Sequence, residues 1–202
     1  VRHIIFSSTA ATYGIPDTVP VREDMPTVPI NPYGLSKLMT EGMLRDVAAA
    51  HPVNFCALRY FNVAGADPAG RTGQSTAGAT HLIKVAVEAA TGKRPHVGIF
   101  GTDFDTPDGT GVRDYIHVSD LAAAHVHALE KLIADPAQSH IMNCGYGRGF
   151  SVNEVFDAVD RVTNHKLVRK QEGRRAGDPD ALIADNSLIL KTLPWRPKHA
   201  DL

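Results

Sequence analysis

The chain has 202 residues, 43% of them hydrophobic, enough to bury the core of one full domain or of a large part of two. Its 21 basic and 22 acidic side chains leave a formal net charge of −1 without a basic block, so neither nucleic acid nor an anionic membrane is expected as a partner and a small molecule is. Only two cysteines occur, Cys56 and Cys144, each in an apolar run without CxxC spacing, which predicts buried reduced thiols and a cytoplasmic location rather than a disulfide framework.

Residues His3 to Ser8 read as a short buried strand opening directly on an apolar run, with no signal-peptide pattern before it. Val53 to Tyr60 reads as a second strand, with a helix between them over "NPYGLSKLMTEGMLRDVAAAH". Asn31 suits its N-cap and Pro32 its first position, and Leu35, Leu38, Met39, Met43 and Val47 recur at three-and-four spacing as an apolar stripe. A right-handed crossover in a parallel sheet follows. The Gly-rich stretch "GADPAGRTGQSTAGAT" reads as a long loop, then Leu82 to Thr91 as a helix and Val97 to Phe100 as a strand. After a second loop, "GTDFDTPDGTGVRD", come a strand at "YIHV", a helix capped by Ser119 and running to about Ile133, and a strand at "HIMNCG". Ser151 and Glu154 form an S-x-x-E capping box for the next helix; the loop "QEGRRAGDPDA", a short strand and a helix around Ser187 to Thr192 complete the chain. No apolar run approaches the ~20 residues of a membrane span, because Arg59, His125 and His127 interrupt the candidates. The order predicts an α/β core over residues 1–78 and a smaller, mainly separate α/β lobe over residues 79–202, some of whose elements return to the first sheet.

Tyr33 and Lys37 lie four apart on one helical face, so each feels the other. A free phenol titrates near 10, and making it a base near pH 7 takes roughly 4 kcal/mol. One positive charge about 5 Å away, at an effective dielectric near 20, supplies on the order of 3 kcal/mol, so Lys37 with a second cation would suffice. A surface lysine beside a tyrosine packed on the core fits the pair equally well. Context favours chemistry: Ser7, Ser8, Thr9 and Thr12 end one buried strand and Asn62 follows the next, at the sheet edge where ligands bind in open parallel sheets. Two features look functional and are read otherwise. "NCGYGRGFS" has a G-x-G-x-G spacing (Gly145, Gly147, Gly149) without the acidic residue of a dinucleotide fingerprint, and His125 and His127 lie two apart on different sides of a helix, so no metal site is predicted.

The segments "FSSTAATYG", "PYGLSK", "LRYFNVAGA", "IFGTDFDTPDGTGVRDYIHVSDLA" and "RRAGDPDALIAD" resemble, in order along nearly the whole chain, the extended short-chain dehydrogenase/reductases that act on sugar nucleotides, the UDP-glucose 4-epimerases above all. The resemblance implies the C-terminal part of a Rossmann-like doubly wound parallel sheet joined to a smaller UDP-sugar-binding lobe, with NAD as cofactor, a UDP-sugar as substrate and a homodimer built on helices including that of Tyr33. It makes Tyr33 the catalytic base, Lys37 the residue holding the nicotinamide ribose, Thr9 a hydrogen-bond partner of the sugar 4-hydroxyl, and Phe61 a neighbour of the nicotinamide. Asn62, His81, the Gly98-Ile99-Phe100 backbone, Arg113, Arg175 and Asp178 match positions that hold UDP; taken alone, the two arginines read as surface ion-pair residues. Leu182 matches the position limiting room beside the sugar 2-position, which leaves UDP-N-acetylhexosamines as second substrates. Thr9 stands where many epimerases have Ser and His81 where Asn is frequent.

The reaction implied is oxidation at C4 to a 4-keto sugar and reduction from the other face, interconverting UDP-glucose and UDP-galactose. A sister dehydratase would carry an Asp-Glu pair where Ala10 and Ala11 stand. The family's Gly-rich NAD turn belongs to an N-terminal βαβ region with no counterpart here, so the chain is expected to be part of a longer enzyme and inactive by itself; taken as complete, it would be a nucleotide-sugar-binding protein without catalysis.

Overall fold

In the computed structural model, which describes residues 1–201, β1 (His3–Thr9) runs parallel to β2 (Asn54–Tyr60), in a register from His3 opposite Asn54 to Thr9 opposite Tyr60. Helix α1 (Pro32–Ala50) makes the crossover, and Asn31 caps it by accepting the Gly34 N–H at 2.8 Å. β2 is buried on both faces, which is why Phe55 to Leu58 reads as a continuous apolar run. The chain continues through β3 (Asn62–Ala64), α2 (Leu82–Ala90), β4 (Val97–Phe100), β5 (Val112–His117), α3 (Val118–Ala134) and β6 (His140–Cys144), and β6 joins the first sheet beside β2 to give the order β1-β2-β6, all parallel. β7 (Gly149–Ser151), α4 (Val152–Thr163), β8 (Arg169–Glu172), β9 (Ala181–Leu182) and α5 (Ser187–Thr192) follow. β5 is the hub of a second sheet: its C-terminal half pairs with β3, its N-terminal half with antiparallel β7 and parallel β9. β4 and β8 form a separate parallel pair. The result is an α/β fold whose strand pairs are all parallel except β5 with β7, in line with the α/β class and parallel sheet the sequence predicts.

The main core gathers Leu58, Ile116, Leu132, Met142, Ile189 and Trp195, all fully or almost fully buried. Burying one such aliphatic side chain contributes about 1.5–3 kcal/mol. Trp195 keeps its indole N–H satisfied by donating to the Asp120 carbonyl at 2.8 Å. Cys56 and Cys144 are free buried thiols in this sheet, and burial alone pushes Cys56 up to about 12. No helix among the described residues is long and apolar enough to cross a membrane.

Four local features differ from expectation. The stripe on α1 faces outward: Leu35, Met39, Met43 and Val47 are 40–59% exposed, while Gly34 and Glu41 are buried. Gly34 is needed there because a Cβ would lie 2.5 Å from the Ala11 carbonyl, so the helix rests on the turn Ala10–Thr12. α3 is capped by His117, whose Nδ1 accepts the Ser119 N–H at 3.1 Å, instead of by Ser119 itself. β7 starts on a glycine, and exposed β8 ("RKQE") has no apolar alternation, so both exist through pairing and left no periodic signal. The Ser151–Glu154 capping box forms with both of its hydrogen bonds.

Candidate active site

At the C-terminal end of β1, Thr9 is buried; its Oγ1 accepts the Ala11 N–H and its carbonyl accepts from the Thr12 hydroxyl, which turns the chain sharply. The first turn of α1 abuts this corner and carries Tyr33, 52% exposed. Lys37 reaches back from the next turn: Nζ donates to the Ser7 carbonyl at 2.9 Å and lies 5.7 Å from the centre of the Tyr33 ring. Phe61 is buried with Ala10, Tyr13 and Val21, and Leu182 packs against the same cluster. Thr9, Tyr33, Lys37 and Phe61 thus surround the ends of parallel strands, where open α/β sheets bind ligands.

A cleft of about 540 Å³, in the size range of small-molecule sites, lies between β3, β4, β5 and the segment before β9. Asn62, His81, Gly98, Phe100, Arg113, Arg175 and Asp178 line it. Ile99, expected beside them, does not line the cleft: it is buried against α2 and α4, because alternate residues of β4 face opposite sides. Leu182 is outside the cleft wall but pairs in register with Arg113, so it stands between the cleft and the Phe61 cluster. The Arg113 guanidinium donates to the Val112 carbonyl and faces the Asp178 carboxylate at 3.6 Å. Burial pulls its pKa down and Asp178 works against that. Arg175 stacks on Phe100, its guanidinium carbon 3.7 Å from the ring centre. His81 ends the long loop at the N-cap of α2, its Nδ1 2.7 Å from Gln74 Nε2.

Tyr115, absent from the sequence-based set, also lines the cleft. Burial pushes its phenol up while neighbouring Arg113 pulls the other way. The period of two along β5 puts Arg113 and Tyr115 on one face, a signal present in "VRDYIH". Leu82 and Phe104 join the wall with no comparable signal.

The glycine-rich turn after β6 wraps an internal anion. The Tyr146 and Gly147 N–H groups donate to the Asp114 carboxylate at 2.9 and 3.0 Å and Ala184 N–H at 3.2 Å, and a Cβ at Gly145 would lie 2.7 Å from Asp114 Oδ2. An amide nest of the kind that holds phosphate is here filled by an aspartate. His125 is bonded to Ser7 and the Leu121 carbonyl, His127 to Glu130, and no group of three or more metal-ligating side chains occurs among the described residues.

Residues 1–145 match the model of the NAD dependent epimerase/dehydratase family. A UDP-glucose 4-epimerase of Azospirillum brasilense is 61% identical over 97% of this chain and 56% of its own length. The solved UDP-glucose 4-epimerase of Bifidobacterium longum in complex with NAD+ and UDP superposes with a TM-score of 0.90 at 42% identity, over 98% of this chain and 59% of that one. The UDP-Glc/GlcNAc 4-epimerase of Campylobacter jejuni superposes with a TM-score of 0.81 at 51% identity, over 100% of this chain and 61% of its own. The chain therefore spans about three-fifths of the length of these relatives. With most of its length inside the matched region, the chain belongs to the NAD dependent epimerase/dehydratase family.

Proposed function

We propose that the protein carrying this chain interconverts UDP-glucose and UDP-galactose by reversible oxidation at C4 through a 4-keto intermediate. The observation that carries the proposal is the exposed Tyr33 phenol one helical turn from the Lys37 ammonium, at the end of a parallel sheet, in a chain that also forms a cleft lined by Arg113 and Arg175. NAD, when bound, would supply reversible hydride transfer at C4. The residues present suit it: Lys37 uses one of its N–H donors on the Ser7 carbonyl, leaving two for ribose hydroxyls, and Phe61 offers an apolar wall next to Thr9.

Tyr33 takes the 4-hydroxyl proton and gives it back on the return step, and Lys37 stabilises the phenolate by its charge. Thr9 hydrogen-bonds the same hydroxyl. Arg113 and Arg175 hold the diphosphate through paired hydrogen bonds that lysine could not make, with Asn62, His81, Gly98, Phe100 and Asp178 around the nucleotide. Holding the nucleotide firmly lets the hexose turn over between the two half-reactions.

The test is conversion of UDP-galactose by the whole protein, with Tyr33→Phe as control. Turnover in the parent, and its loss in Tyr33→Phe with UDP binding kept, is the expected result; UDP binding without turnover in the parent would leave a nucleotide-sugar-binding protein. Leu182 between Arg113 and Phe61 favours a second substrate class, the UDP-N-acetylhexosamines, because leucine leaves room that a large aromatic would fill. The exposed stripe Leu35, Met39, Met43 and Val47 suits a homodimer packed through α1.

A further inference from the structure

Two buried charges of opposite sign take no part in the chemistry described above. Glu41 is fully buried on α1 and Arg59 is 3% exposed on β2. Arg59 Nε and one terminal nitrogen donate to the two Glu41 oxygens at 2.9 and 2.6 Å, a paired geometry. The other terminal nitrogen donates to the Tyr13 hydroxyl at 3.0 Å, and Tyr13 donates to Asn143 on β6 at 2.7 Å. Glu41 also accepts the Ser8 hydroxyl at 2.5 Å. Burial acts against the Arg59 charge, but its hydrogen bonds to Glu41 and Tyr13 outweigh that and raise its pKa.

Three residues of this network are near neighbours in sequence of residues at the site. Ser8 precedes Thr9, Glu41 lies one turn beyond Lys37, and Arg59 is two residues before Phe61. One ion pair, with the Ser8 hydroxyl on it, therefore ties the middle of α1 to the C-terminal ends of β1 and β2, and its reach to β6 runs through Tyr13. The cleft-lining arginines belong to other elements and share no hydrogen bond with it.

We propose that Glu41 and Arg59 are positioning residues for the cofactor side of the site, setting Lys37 against Thr9, and that the nucleotide cleft does not depend on them. The inference rests on the reading of Thr9, Lys37 and Phe61 as the residues that meet NAD. Apolar side chains in these two places would bind α1 to the sheet as well, but would not fix one rotation of the helix.

The test measures dissociation constants for NADH and for UDP in the whole protein, with urea stability alongside, for Glu41→Gln and for the milder Ser8→Ala. Misplacing groups by a fraction of an ångström has large effects, so Glu41→Gln is expected to weaken NADH about ten-fold and lower kcat for UDP-galactose by a similar factor, with UDP affinity within about two-fold of the parent. Ser8→Ala, which takes one donor from the buried Glu41 carboxylate and leaves the paired Arg59 contact in place, is expected to shift NADH affinity in the same direction by about three-fold, with a smaller loss of stability than Glu41→Gln. NADH affinity at the parental value in Ser8→Ala, or NADH and UDP weakened in parallel in either variant, would overturn the proposal, since a mere structural brace loosens both sides alike. If Glu41→Gln does not fold, Ser8→Ala decides alone. A parent that ignores UDP-galactose sinks the substrate reading instead, and NADH affinity set against urea stability still decides this one.

Discussion

The Arg175 guanidinium lies 3.7 Å from the centre of the Phe100 ring, so a planar cation covers one face of an aromatic side chain that lines the cleft. Replacing Arg175 by Ala removes this stack and, on the proposed reading, a partner for the diphosphate. A hydrogen bond to a charged group contributes about 1.5–3 kcal/mol, so UDP is expected to bind roughly 10- to 100-fold more weakly by calorimetry. Arg175→Lys should recover less than half of the lost free energy, because an ammonium neither stacks flat nor pairs with two oxygens. Full recovery with Lys would show that only a point charge is needed.

Leu182 pairs with Arg113 and packs on the Phe61 cluster, between the two halves of the site. Leu182→Tyr is expected to lower turnover of UDP-N-acetylgalactosamine well below that of UDP-galactose, with Leu182→Ala sparing the larger substrate. The check is the ratio of kcat/KM for the two sugars. Equal losses for both in each variant would mean that the position supports packing and sets no size limit.

Two buried aspartates should respond to pH with opposite sign. Burial raises the Asp114 pKa above the ordinary value of 3.8, with its backbone hydrogen bonds offsetting only part of that. Between 3.8 and that raised value the folded state holds a proton that the unfolded chain has lost, so stability falls as pH rises. Asp120 is also pushed up by burial, but hydrogen bonds from the Tyr146 hydroxyl and the His199 and Lys198 amides win and hold it below 3.8. Its contribution is present above 3.8 and is lost as pH falls through the folded value. Urea unfolding between about pH 3 and 6 is the measurement. Asp114→Asn should abolish the decline above 3.8, and Asp120→Asn should flatten the loss below it.

Met39 and Met43 are both more than half exposed on α1, one turn apart. If this face holds two subunits together, Met39→Glu with Met43→Glu buries like charges against each other and should give a monomer by light scattering, with UDP affinity unchanged. A dimer that survives both changes would place the subunit contact elsewhere.

What the sequence by itself determined is local or periodic. Asn31-Pro32 starts a helix, the Ser151–Glu154 spacing makes a capping box, and the buried run of β2 forces a central strand, because each depends on residues a few positions apart. The same logic put Tyr33 and Lys37 on one face, and the quoted motifs carried the family.

Which face α1 buries was decided by tertiary structure. A hydrophobic scan favours Leu35, Met39 and Met43, yet the helix turns Gly34 and Glu41 inward, since a close approach to Ala11 and an ion pair with Arg59 outweigh apolar spacing. β8 exists through its partner β4, the glycine-rich turn closes on Asp114, and Tyr115 reaches the cleft only after β3 and β5 pair. Each depends on groups far apart in sequence, whose meeting no local pattern records.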